Sequence, residues 1–486
     1  MVPSPDMNDP AEGALPVILA AGLGTRMKSA RPKVLHELCG RPMLAYVLDA
    51  AAGVTSRRPL VVYSPATAEL TGLIEGADFA LQETPLGTAD ALRAALAVAG
   101  PAREILVLAG DVPLVGAELL AEMLDLRRAR NAAIALVAVR MDEPGSLGRV
   151  VRTDDGQVLR IVEAKEATDD ERGIREINAG VYAFDASWLA GRIADVEAAP
   201  VSGEFYLPAL VELARRDGRA VVSLDVEDDG TLGGINDRRQ LADAERRLRR
   251  SINERHMLAG VSFVDPDCTY VEATVTLGRD VVLEPSVVLK GRTRIGDGTR
   301  IGSGSQIVDS TVGRDCVVWA SVLESSEVED EVRIGPFSHL RPGSSIGRGV
   351  RLGNFAEVKA SRLEPGVQQH HFSYIGDADV GERTNVGAGT ITCNFDGVHK
   401  HRTRIGKHVF LGSDTMLVAP VELGDEARTG AGAVVTKDVP AGMLAVGVPA
   451  RLRKPRAAST DADGPSAGDL GSSQAGPRAG PAEKAE

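Results

Sequence analysis

Aliphatic residues recur every six positions across the C-terminal half of the chain, in three phased runs. These positions are Leu277, Leu283, Leu289, Ile295, Ile301 and Ile307, then Ile334, Leu340, Ile346, Leu352 and Val358, and finally Ile405, Leu411, Leu417 and Leu423. A period of six fits neither an amphipathic helix nor an alternating strand. It is typical of a solenoid of short strands that places one aliphatic side chain inward on each face, three hexads to a coil. The pattern therefore predicts a left-handed parallel β-helix over residues 259–454.

The N-terminal half shows a different pattern, in which short aliphatic runs alternate with stretches of helical spacing. The predicted strands are Val17–Ala20, Leu60–Val62, Ile105–Leu108 and Ile134–Val139, and the predicted helices are Pro42–Ala52 and Ala89–Ala99. Such aliphatic runs suit strands that are buried on both sides. Residues 15–236 are thus predicted to form an α/β domain, Rossmann-like and with a mostly parallel sheet.

The remaining segments connect or flank these two domains. Residues 237–258 carry Leu241, Leu248 and Ile252 along one side of a charged stretch, which predicts a linker helix. Residues 1–14 are rich in Pro, Asp and Gly, and residues 455–486 are rich in Ala, Gly, Ser, Pro and charge. Such segments cannot bury a core, so both are predicted to be disordered.

Composition narrows the class of partner and the cellular location. The net charge is −13, from 55 basic and 68 acidic residues, and no basic stripe stands out, which argues against a nucleic-acid partner. Four widely spaced cysteines without a C-x-x-C pair suggest reduced thiols. No signal pattern and no apolar run of membrane-spanning length is present. We therefore expect a cytoplasmic protein without a membrane partner.

A glycine-rich turn follows the first predicted strand, in the segment Val17–Met27 (VILAAGLGTRM). It is not a dinucleotide-binding fingerprint, because Met27 replaces the third glycine, and it lacks the Gly-Lys-Ser/Thr of a P-loop. The glycines allow the main chain to approach phosphate oxygens. Arg26 and Lys33 supply the positive charge that a triphosphate needs. Glycine spacing alone equally supports a tight turn with surface basic residues.

An acidic residue follows another predicted strand, since Ile105–Leu108 leads into Ala109-Gly110-Asp111. Ligands of open α/β sheets bind at the carboxyl ends of the strands. A carboxylate there can hold Mg²⁺ together with substrate phosphates. A lone Asp at a strand end is more often a helix cap, and its pairing with the glycine-rich turn favours the magnesium site.

The hexad pattern is interrupted by a polar stretch at residues 368–404, where residues 397–404 break the rhythm as a loop. Loops on a regular scaffold often carry function. For His370 and His371 the simplest interpretation is solvated surface imidazole. A metal cluster of these two with His399 and His401 is a weak alternative, because neighbours on a strand point to opposite faces.

The string Leu19–Met27, followed by Pro32–His36, closely resembles the sugar-nucleotide pyrophosphorylases. With both halves considered, residues 15–451 resemble the family of bacterial bifunctional N-acetylglucosamine-1-phosphate uridylyltransferases/glucosamine-1-phosphate N-acetyltransferases. The resemblance implies acetyl transfer from acetyl-CoA to glucosamine-1-phosphate. It also implies uridylyl transfer from UTP to N-acetylglucosamine-1-phosphate with Mg²⁺, releasing pyrophosphate. The family forms homotrimers through its β-helices, so a homotrimer is implied as well.

For the uridylyl site the resemblance implies three groups of residues. Arg26 and Lys33 contact the phosphates, and Asp111 and Asn236 bind Mg²⁺. The UTP and UDP-N-acetylglucosamine contacts are Leu19, Ala20, Ala21, Gly22, Lys33, Gln82, Gly87, Thr88, Ala109, Gly110, Asp111, Gly148, Glu163, Asn178 and Asn236.

For the acetyl-transfer site the resemblance implies that His371 is the general base. The sugar-phosphate contacts are Arg341, Lys359, Tyr374 and Asn385, and the acetyl-CoA contacts are Ala388, Asn394, Phe395, Lys400, Ser413, Ala431, Val448 and Arg451. Either Val448 or Arg451 can occupy the last CoA position. Phe395, Phe372 and the segment 368–370 depart from the family pattern.

Two other functions remain as alternatives. One is a single-activity pyrophosphorylase whose β-helix serves oligomerisation only, and Arg341, Lys359, His371, Tyr374 and Asn385 together argue against it. The other is a non-catalytic sugar-nucleotide scaffold. Asp111 paired with Asn236 argues against that, because binding alone needs no metal ligands.

Overall fold

The computed structural model describes residues 13–454, and two architectures follow one another along this part of the chain. The first strand begins at Ala14, inside the segment 1–14 that was predicted to be disordered. Residues 1–12 and the predicted disordered segment 455–486 lie outside the described residues. Of the helices between residues 13 and 454, none combines the length and apolar character that crossing a membrane requires.

The N-terminal domain alternates strands and helices as the hydrophobic pattern predicts. Its strands are β1 (Ala14–Leu19), β2 (Glu37–Leu38), β3 (Arg41–Pro42), β4 (Leu60–Tyr63), β5 (Asp78–Leu81), β6 (Glu104–Ala109), β7 (Ile134–Arg140), β8 (Arg149–Arg152), β9 (Val158–Val162), β10 (Glu176–Asp185) and β11 (Val221–Glu227). Its helices are α1 (Met43–Ala52), α2 (Leu70–Leu73), α3 (Thr88–Val98), α4 (Ala117–Ala129), α5 (Asp169–Arg172), α6 (Ala186–Arg192) and α7 (Ala209–Arg216).

The central sheet has the order β11-β7-β10-β6-β1-β4-β5, with the β8–β9 hairpin attached to β10. Its pairs are parallel except where β10 runs antiparallel to β6, β7 and β8, and within the β8–β9 hairpin. Helices cover both faces, since Val17 packs in the hydrophobic cluster with α3 and α7, and Ile18 in the cluster with α1 and α4. The prediction of a mostly parallel α/β sheet is confirmed, and the carboxyl ends of β1 and β6 lie side by side.

A long helix, α8 (Arg238–Leu258), joins this domain to the solenoid. The Asp237 carboxylate caps its first turn by accepting a hydrogen bond from the Gln240 amide at 2.8 Å. Its buried Ile252 belongs to the same hydrophobic cluster as the first coils of the solenoid.

The solenoid has three faces of stacked parallel strands, and among the described strands only the last one of the first face runs antiparallel to its neighbour. The first face contains β12 (Ser262–Phe263), β15 (Val282–Leu283), β18 (Arg300–Ile301), β21 (Val317–Val318), β24 (Arg333–Ile334), β27 (Arg351–Leu352), β30 (Gln368–Gln369), β33 (Asn385–Val386), β36 (Phe410–Leu411), β39 (Arg428–Thr429), β41 (Leu444–Val446) and β42 (Arg451–Arg453). The second contains β13 (Tyr270–Val271), β16 (Val288–Lys290), β19 (Gln306–Val308), β22 (Val322–Glu324), β25 (His339–Leu340), β28 (Ala356–Lys359), β31 (Ser373–Gly376), β34 (Ile391–Cys393), β37 (Met416–Val418) and β40 (Val434–Val435). The third contains β14 (Thr276–Leu277), β17 (Arg294–Ile295), β20 (Thr311–Val312), β23 (Glu327–Val328), β26 (Ser345–Ile346), β29 (Arg362–Leu363), β32 (Ala378–Val380), β35 (Thr403–Ile405) and β38 (Val421–Leu423).

The hexad residues form the interior of this left-handed parallel β-helix, as predicted. Val282 pairs with Arg300, one coil of three hexads later. Each interruption of the rhythm has a structural cause. Near residue 313 the coils are shorter, since Gln306 pairs with Val322. After β34 a loop is inserted, so that Ala378 pairs with Thr403.

Two candidate active sites

Two adjoining cavities open at the carboxyl ends of β1 and β6. The first, of about 450 Å³, is lined by the glycine-rich turn, Lys33, Gln82 and Gly87. The second, of about 360 Å³, is lined by residues that include Gly148, Glu163, Asn178 and Asn236. The residues shared by both are Leu19, Thr88, Ala109 and Asp111. We call the first cavity the nucleotide compartment and the second the sugar compartment, after the ligands that the resemblance implies. Asp111 lies at the junction of the two.

A connected network of charged and amide groups lies at this junction. Lys33 Nζ forms a salt bridge with Asp111 Oδ2, and it donates to Asn236 Oδ1 at 3.1 Å. Arg26 Nη2 donates to the same Asn236 oxygen at 2.7 Å. The Ile235 amide donates to the Asp111 carbonyl at 2.9 Å, so the two chain segments are also tied through the main chain.

The Asp111 and Asn236 oxygens thus converge on one cationic group. This donor set fits Mg²⁺, which prefers oxygen ligands and completes its shell with water and phosphate. Within residues 13–454 no group of three or more His, Cys, Asp or Glu side chains is suited to a metal ion. The weak four-histidine alternative therefore finds no support, and a cation here depends on oxygens from substrate and water.

Two glycines shape the nucleotide compartment through their main-chain conformation. Gly24 has a φ of 60°, and a Cβ there would lie 2.6 Å from Lys33 Cβ. Gly87 has a φ of 122°, and a Cβ there would lie 2.4 Å from the Phe205 carbonyl oxygen. Only glycine adopts both the conformation and the close approach. Gly24 thereby allows the Lys33 stem to pass directly beneath the turn.

Gln82 is buried with its amide directed toward this compartment. Its Nε2 donates to Asp90 Oδ2 at 2.7 Å and to the Gly87 carbonyl at 3.3 Å. Thr88 is held by the Leu207 amide, which donates to its Oγ1 at 3.0 Å. A fixed amide next to main-chain groups is suited to reading the edge of a base.

The sugar compartment combines the carboxylate of Glu163 with the buried amide of Asn178. Burial, together with the nearby Glu204 charge, raises the pKa of Glu163. Asn178 Nδ2 donates to the Tyr182 hydroxyl at 2.6 Å, and Asn178 Oδ1 accepts from the Gly180 amide at 3.1 Å. A Cβ on Gly148 would come within 3.3 Å of Glu163 Oε1. Hydroxyl groups of a sugar can therefore meet both an acceptor and a donor here.

The structure places the predicted uridylyl-site residues around these two cavities, with one exception. Gly110 lines neither cavity, and its amide instead donates to the Leu19 carbonyl at 2.9 Å, joining the two strand ends. Sequence reasoning missed Glu204, Ser146 and Tyr182, which line the cavities. Tyr182 lies four residues after Asn178 on the same strand, and that spacing is the signal that could have identified it.

The second site lies on the solenoid, and two of its edges matter. We call the corner between the first and second faces the 371 edge, defined by residues 319–321, 335–338, 353–355, 370–372, 387–390, 412–415 and 430–433. We call the corner between the second and third faces the 377 edge, defined by residues 341–344, 359–361, 377 and 394–402. The second face connects the two edges.

A basic cluster lies at the 377 edge. Lys359 Nζ lies 3.1 Å from Asp377 Oδ2, and Asn394 Nδ2 donates to the same carboxylate oxygen. A hydrogen bond to Lys359 and the charge of that residue lower the pKa of Lys400. Arg341 lies nearby, bonded to Glu357 Oε1 at 2.9 Å. Arg341, Lys359 and Lys400 thus outnumber the two carboxylates that pair with them, Glu357 and Asp377, and such an excess of cations suits a phosphate group.

Tyr374 joins this cluster from the middle of the second face. Its hydroxyl lies 3.4 Å from Asn394 Nδ2, and the Tyr374 main chain pairs in register with Glu357. Asn385 does not join them, because it lies on the first face and pairs with Gln368. Of the four predicted sugar-phosphate residues, Arg341, Lys359 and Tyr374 thus lie at the 377 edge or on the second face, and Asn385 lies on the first face. His371 lies at the edge between these two faces.

The imidazole of His371 is exposed at the 371 edge. Within the described chain it has no side-chain hydrogen-bonding partner, and its ring centroid lies 6.5 Å from that of His370. His370 Nε2 lies 2.8 Å from Gln368 Oε1. The His371 ring is consequently available to an incoming group.

Three predicted CoA contacts stack below His371 along the same edge. Successive coils are joined here by main-chain hydrogen bonds. The Gly389 amide donates to the Phe372 carbonyl at 2.8 Å. In the next two coils the Asp414 amide donates to the Ala388 carbonyl at 2.6 Å, and the Gly432 amide donates to the Ser413 carbonyl at 2.8 Å. A Cβ on Gly412 would lie 2.8 Å from the Ala431 amide nitrogen, so Ala431 continues the stack. The edge thus presents a column of small residues and main-chain groups to a long ligand.

The remaining predicted CoA contacts lie at other positions. Phe395 and Lys400 pair across the inserted loop, and Phe395 is exposed. Val448 is exposed just after β41, whereas Arg451 lies in β42 and pairs with Val446. Asp377 bonds both Lys359 and Asn394, and sequence reasoning missed it. It directly follows Ile375 and Gly376, the last two residues of β31, and that position is the signal that could have identified it.

Comparisons with known proteins agree with this architecture. A family model of MobA-like NTP transferase domains matches residues 16–178. Models of the bacterial transferase hexapeptide and of the hexapeptide repeat of succinyl-transferase match residues 325–360, and residues 292–322 and 402–437, respectively.

Relatives match along almost the whole chain. A protein of Pelobacter propionicus named "Bifunctional protein GlmU" is 44% identical over 440 residues, covering 90% of this chain and 96% of the relative. Proteins of the same name from Mycobacterium tuberculosis and Mycolicibacterium vanbaalenii are each 42% identical. They cover 90% and 88% of this chain, and 91% and 89% of their own lengths, respectively.

Proposed function

Because this chain belongs to the family of bifunctional GlmU proteins, we propose that it makes UDP-N-acetylglucosamine in two steps. The solenoid transfers an acetyl group from acetyl-CoA to the amine of glucosamine-1-phosphate. The N-terminal domain then transfers a uridylyl group from UTP to the resulting N-acetylglucosamine-1-phosphate and releases pyrophosphate. The observation that carries the proposal is the convergence of Asp111, Asn236, Lys33 and Arg26 at the junction of two cavities.

In the uridylyl step a phosphate oxygen of the sugar-1-phosphate attacks the α-phosphorus of UTP, and the bond to the pyrophosphate oxygen breaks. Gln82 and Gly87 hold the base, while Glu163 and Asn178 orient the sugar in the adjoining cavity. Lys33 and Arg26 neutralise charge on the phosphates. Asp111 and Asn236 would hold Mg²⁺, which would withdraw charge from the reacting phosphate oxygens. Positioning and charge neutralisation suffice, so no side-chain nucleophile is needed.

In the acetyl step the sugar amine attacks the thioester carbonyl, a C–N bond forms, and the C–S bond breaks to release CoA as a thiolate. His371 takes the proton from the attacking amine and returns it to the leaving thiolate. Imidazole suits this role because it changes protonation near neutral pH, and such a base contributes roughly 10²- to 10⁴-fold to the rate. Arg341 and Lys359 bind the sugar phosphate together with Tyr374 and Asn385, and Lys400 contacts acetyl-CoA next to them. The column at Ala388, Ser413 and Ala431 binds acetyl-CoA.

We further propose that the protein is a homotrimer whose acetyl-transfer sites lie between subunits. Four exposed aromatic side chains support this assembly: Trp319, Phe337, Phe355 and Phe372 follow one another along the 371 edge. The Phe337 and Phe355 rings are stacked with centroids 5.3 Å apart. Contiguous exposed apolar surface of this kind marks protein interfaces.

We also propose a cytoplasmic location, since the described cysteines are all free thiols.

Separate assays of the two reactions test the proposal. Asp111→Ala should abolish uridylyl transfer and leave acetyl transfer unchanged, because only the first site loses a metal ligand. His371→Ala should lower acetyl transfer by roughly 10²-fold or more and leave uridylyl transfer unchanged. The matched controls are Asp78→Ala, at the opposite end of the same sheet, and His408→Asn, on another solenoid corner; both should keep both activities. Acetyl transfer that persists in His371→Ala contradicts the role of His371.

A further inference from the structure

A glutamine side chain is enclosed in the hydrophobic interior of the solenoid, two residues before His371. Gln369 is 0% exposed and pairs in register with Leu352 of the preceding coil. The residue at the same position of the next coil is the buried Val386. An amide in such an apolar column loses its hydration, and buried polar groups of this kind are normally hydrogen-bonded. The hydrogen-bonding partner of the Gln369 amide therefore indicates why a polar side chain lies at this interior position.

From the interior of the solenoid, the Gln369 side chain is hydrogen-bonded through Ser373 to the main chain of the 371 edge. Gln369 Nε2 donates to Ser373 Oγ at 2.9 Å, and Ser373 Oγ donates to the main-chain carbonyl of His371 at 2.9 Å. Gln369 Oε1 has no partner among the described residues. Burial of the Gln369 side chain is unfavourable, and its amide nitrogen is its one hydrogen-bonded group among the described residues. That hydrogen bond connects it, through Ser373, to the main chain of His371.

The outer side of the same corner is held by a second glutamine. Gln368 precedes Gln369 on the strand and points outward, where its Oε1 lies 2.8 Å from His370 Nε2. The His371 ring itself has no side-chain partner within residues 13–454. Its direction is consequently set by the main chain of the corner rather than by contacts of the ring.

We propose that Gln369 is a positioning residue for acetyl transfer. Through Ser373 it fixes the carbonyl of His371, and thereby the direction in which the imidazole enters the site. The inference rests on the proposed role of His371 as general base. A general base must lie within hydrogen-bonding reach of the proton that it takes, and small displacements of such groups lower rates strongly.

Gln369→Leu and Ser373→Ala test the relay, since each removes one of its hydrogen bonds. In both variants kcat of acetyl transfer should fall roughly 10- to 100-fold. KM for both substrates should stay within about twofold, because the binding residues are untouched. The Gln369→Leu/Ser373→Ala double variant should be no slower than the slower single variant, because the two residues act through one relay.

Two controls separate positioning from general damage to the solenoid. Ser373→Thr keeps the hydroxyl and should retain kcat. Ser310→Ala removes another buried hydroxyl, which donates to the Val308 carbonyl at 2.8 Å on another corner, and should leave kcat unchanged. Uridylyl transfer and the midpoint of thermal unfolding, measured on every variant, report whether each one is folded.

Normal kcat in Gln369→Leu overturns the proposal, as do rate losses that add up in the double variant. If Gln369→Leu does not fold, Ser373→Ala and Ser373→Thr decide the outcome, and equal kcat in these two variants also overturns it. Persistence of acetyl transfer in His371→Ala would instead show that the proposed general base is wrong. The two failures are therefore distinguishable.

Discussion

At the scale of single residues, one ammonium group organises the uridylyl site. Lys33 bonds both Asp111 and Asn236, and Gly24 makes room for its stem. Before substrate arrives, these contacts hold the two oxygens together without an uncompensated charge. We expect bound phosphates to draw Lys33 toward themselves, which would free both oxygens for the proposed Mg²⁺.

Glu163 leads to a pH-dependent prediction at the same scale. Its pKa in the folded protein is raised, chiefly by burial, so the folded state binds more protons than the unfolded state just above pH 4.5. The free energy of unfolding should therefore fall as the pH rises from 4.5 through the raised value. Glu163→Gln should remove this decrease, raise the unfolding midpoint at pH 7, and weaken binding of N-acetylglucosamine-1-phosphate.

Urea unfolding between pH 4 and pH 8, with calorimetric binding of the sugar phosphate, measures both effects. Glu122→Gln, an exposed substitution on α4, is the control and should follow the wild-type protein. Unchanged sugar binding in Glu163→Gln would show that this carboxylate does not contact the ligand.

The structure also shows which residues the sequence could identify. Asp111 and Lys33 were predictable because each follows a recognisable motif, and the parallel sheet brings the ends of β1 and β6 together. Asp377 was not, because its role depends on Lys359 and Asn394, which adjacent coils bring next to it. The separation of Asn385 from Tyr374 likewise depends on which face each strand occupies, and linear spacing does not reveal this.

At the scale of elements, two segments close the N-terminal end of the solenoid. The β2–β3 hairpin inserts the buried Cys39 side chain into the solenoid core, and the Cys39 carbonyl accepts from the Ala273 amide at 3.0 Å. Helix α8 adds Ile252 to the same core. Because β2 begins only four residues after Lys33, this closure also anchors the uridylyl site to the solenoid.

Truncating the α8 side chain that packs into the solenoid core should destabilise the folded protein. Ile252→Ala leaves a cavity in the core, and we expect a loss of about 2–5 kcal/mol in the free energy of unfolding. Differential scanning calorimetry and denaturant titration measure the loss. Leu258→Ala on the same helix is the control, since Leu258 is 91% exposed and its loss should be within about 0.5 kcal/mol. Equal stability of the two variants would contradict a closing role for α8.

The elements differ in how far their sequences predict them. The solenoid was predictable because its hexads repeat over many coils, and α8 because its apolar residues follow a helical spacing. The β2–β3 hairpin was not predicted, since strands of two residues carry no periodic signal. Its position is determined by the fit of Cys39 against the first coils.

At the scale of the whole molecule, the aromatic side chains along the 371 edge relate the proposed trimer to acetyl transfer. Trp319, Phe337 and Phe355 are exposed, and the same edge carries His371 and the proposed acetyl-CoA column. A subunit packed along this edge would lie next to the acetyl group. The uridylyl site, by contrast, is enclosed within the N-terminal domain.

Charging this edge should therefore separate the two activities. In Phe337→Arg the mass measured by light scattering should fall from three times 51.0 kDa to that of one chain. Acetyl transfer should drop at least roughly 10²-fold, because shared sites are lost, and uridylyl transfer should persist. Leu73→Arg, at an exposed apolar position on α2, is the control and should remain trimeric. A monomeric wild-type protein would contradict the proposed assembly.

One measurement tests the central claim, that a single chain carries out both reactions in sequence. The purified protein is incubated with glucosamine-1-phosphate, acetyl-CoA labelled with ¹³C in the acetyl group, UTP and Mg²⁺, and the products are analysed by mass spectrometry. We predict UDP-N-acetylglucosamine that carries the label, together with pyrophosphate and free CoA. Labelled N-acetylglucosamine-1-phosphate without the UDP-sugar, or a UDP-sugar without the label, would contradict the account.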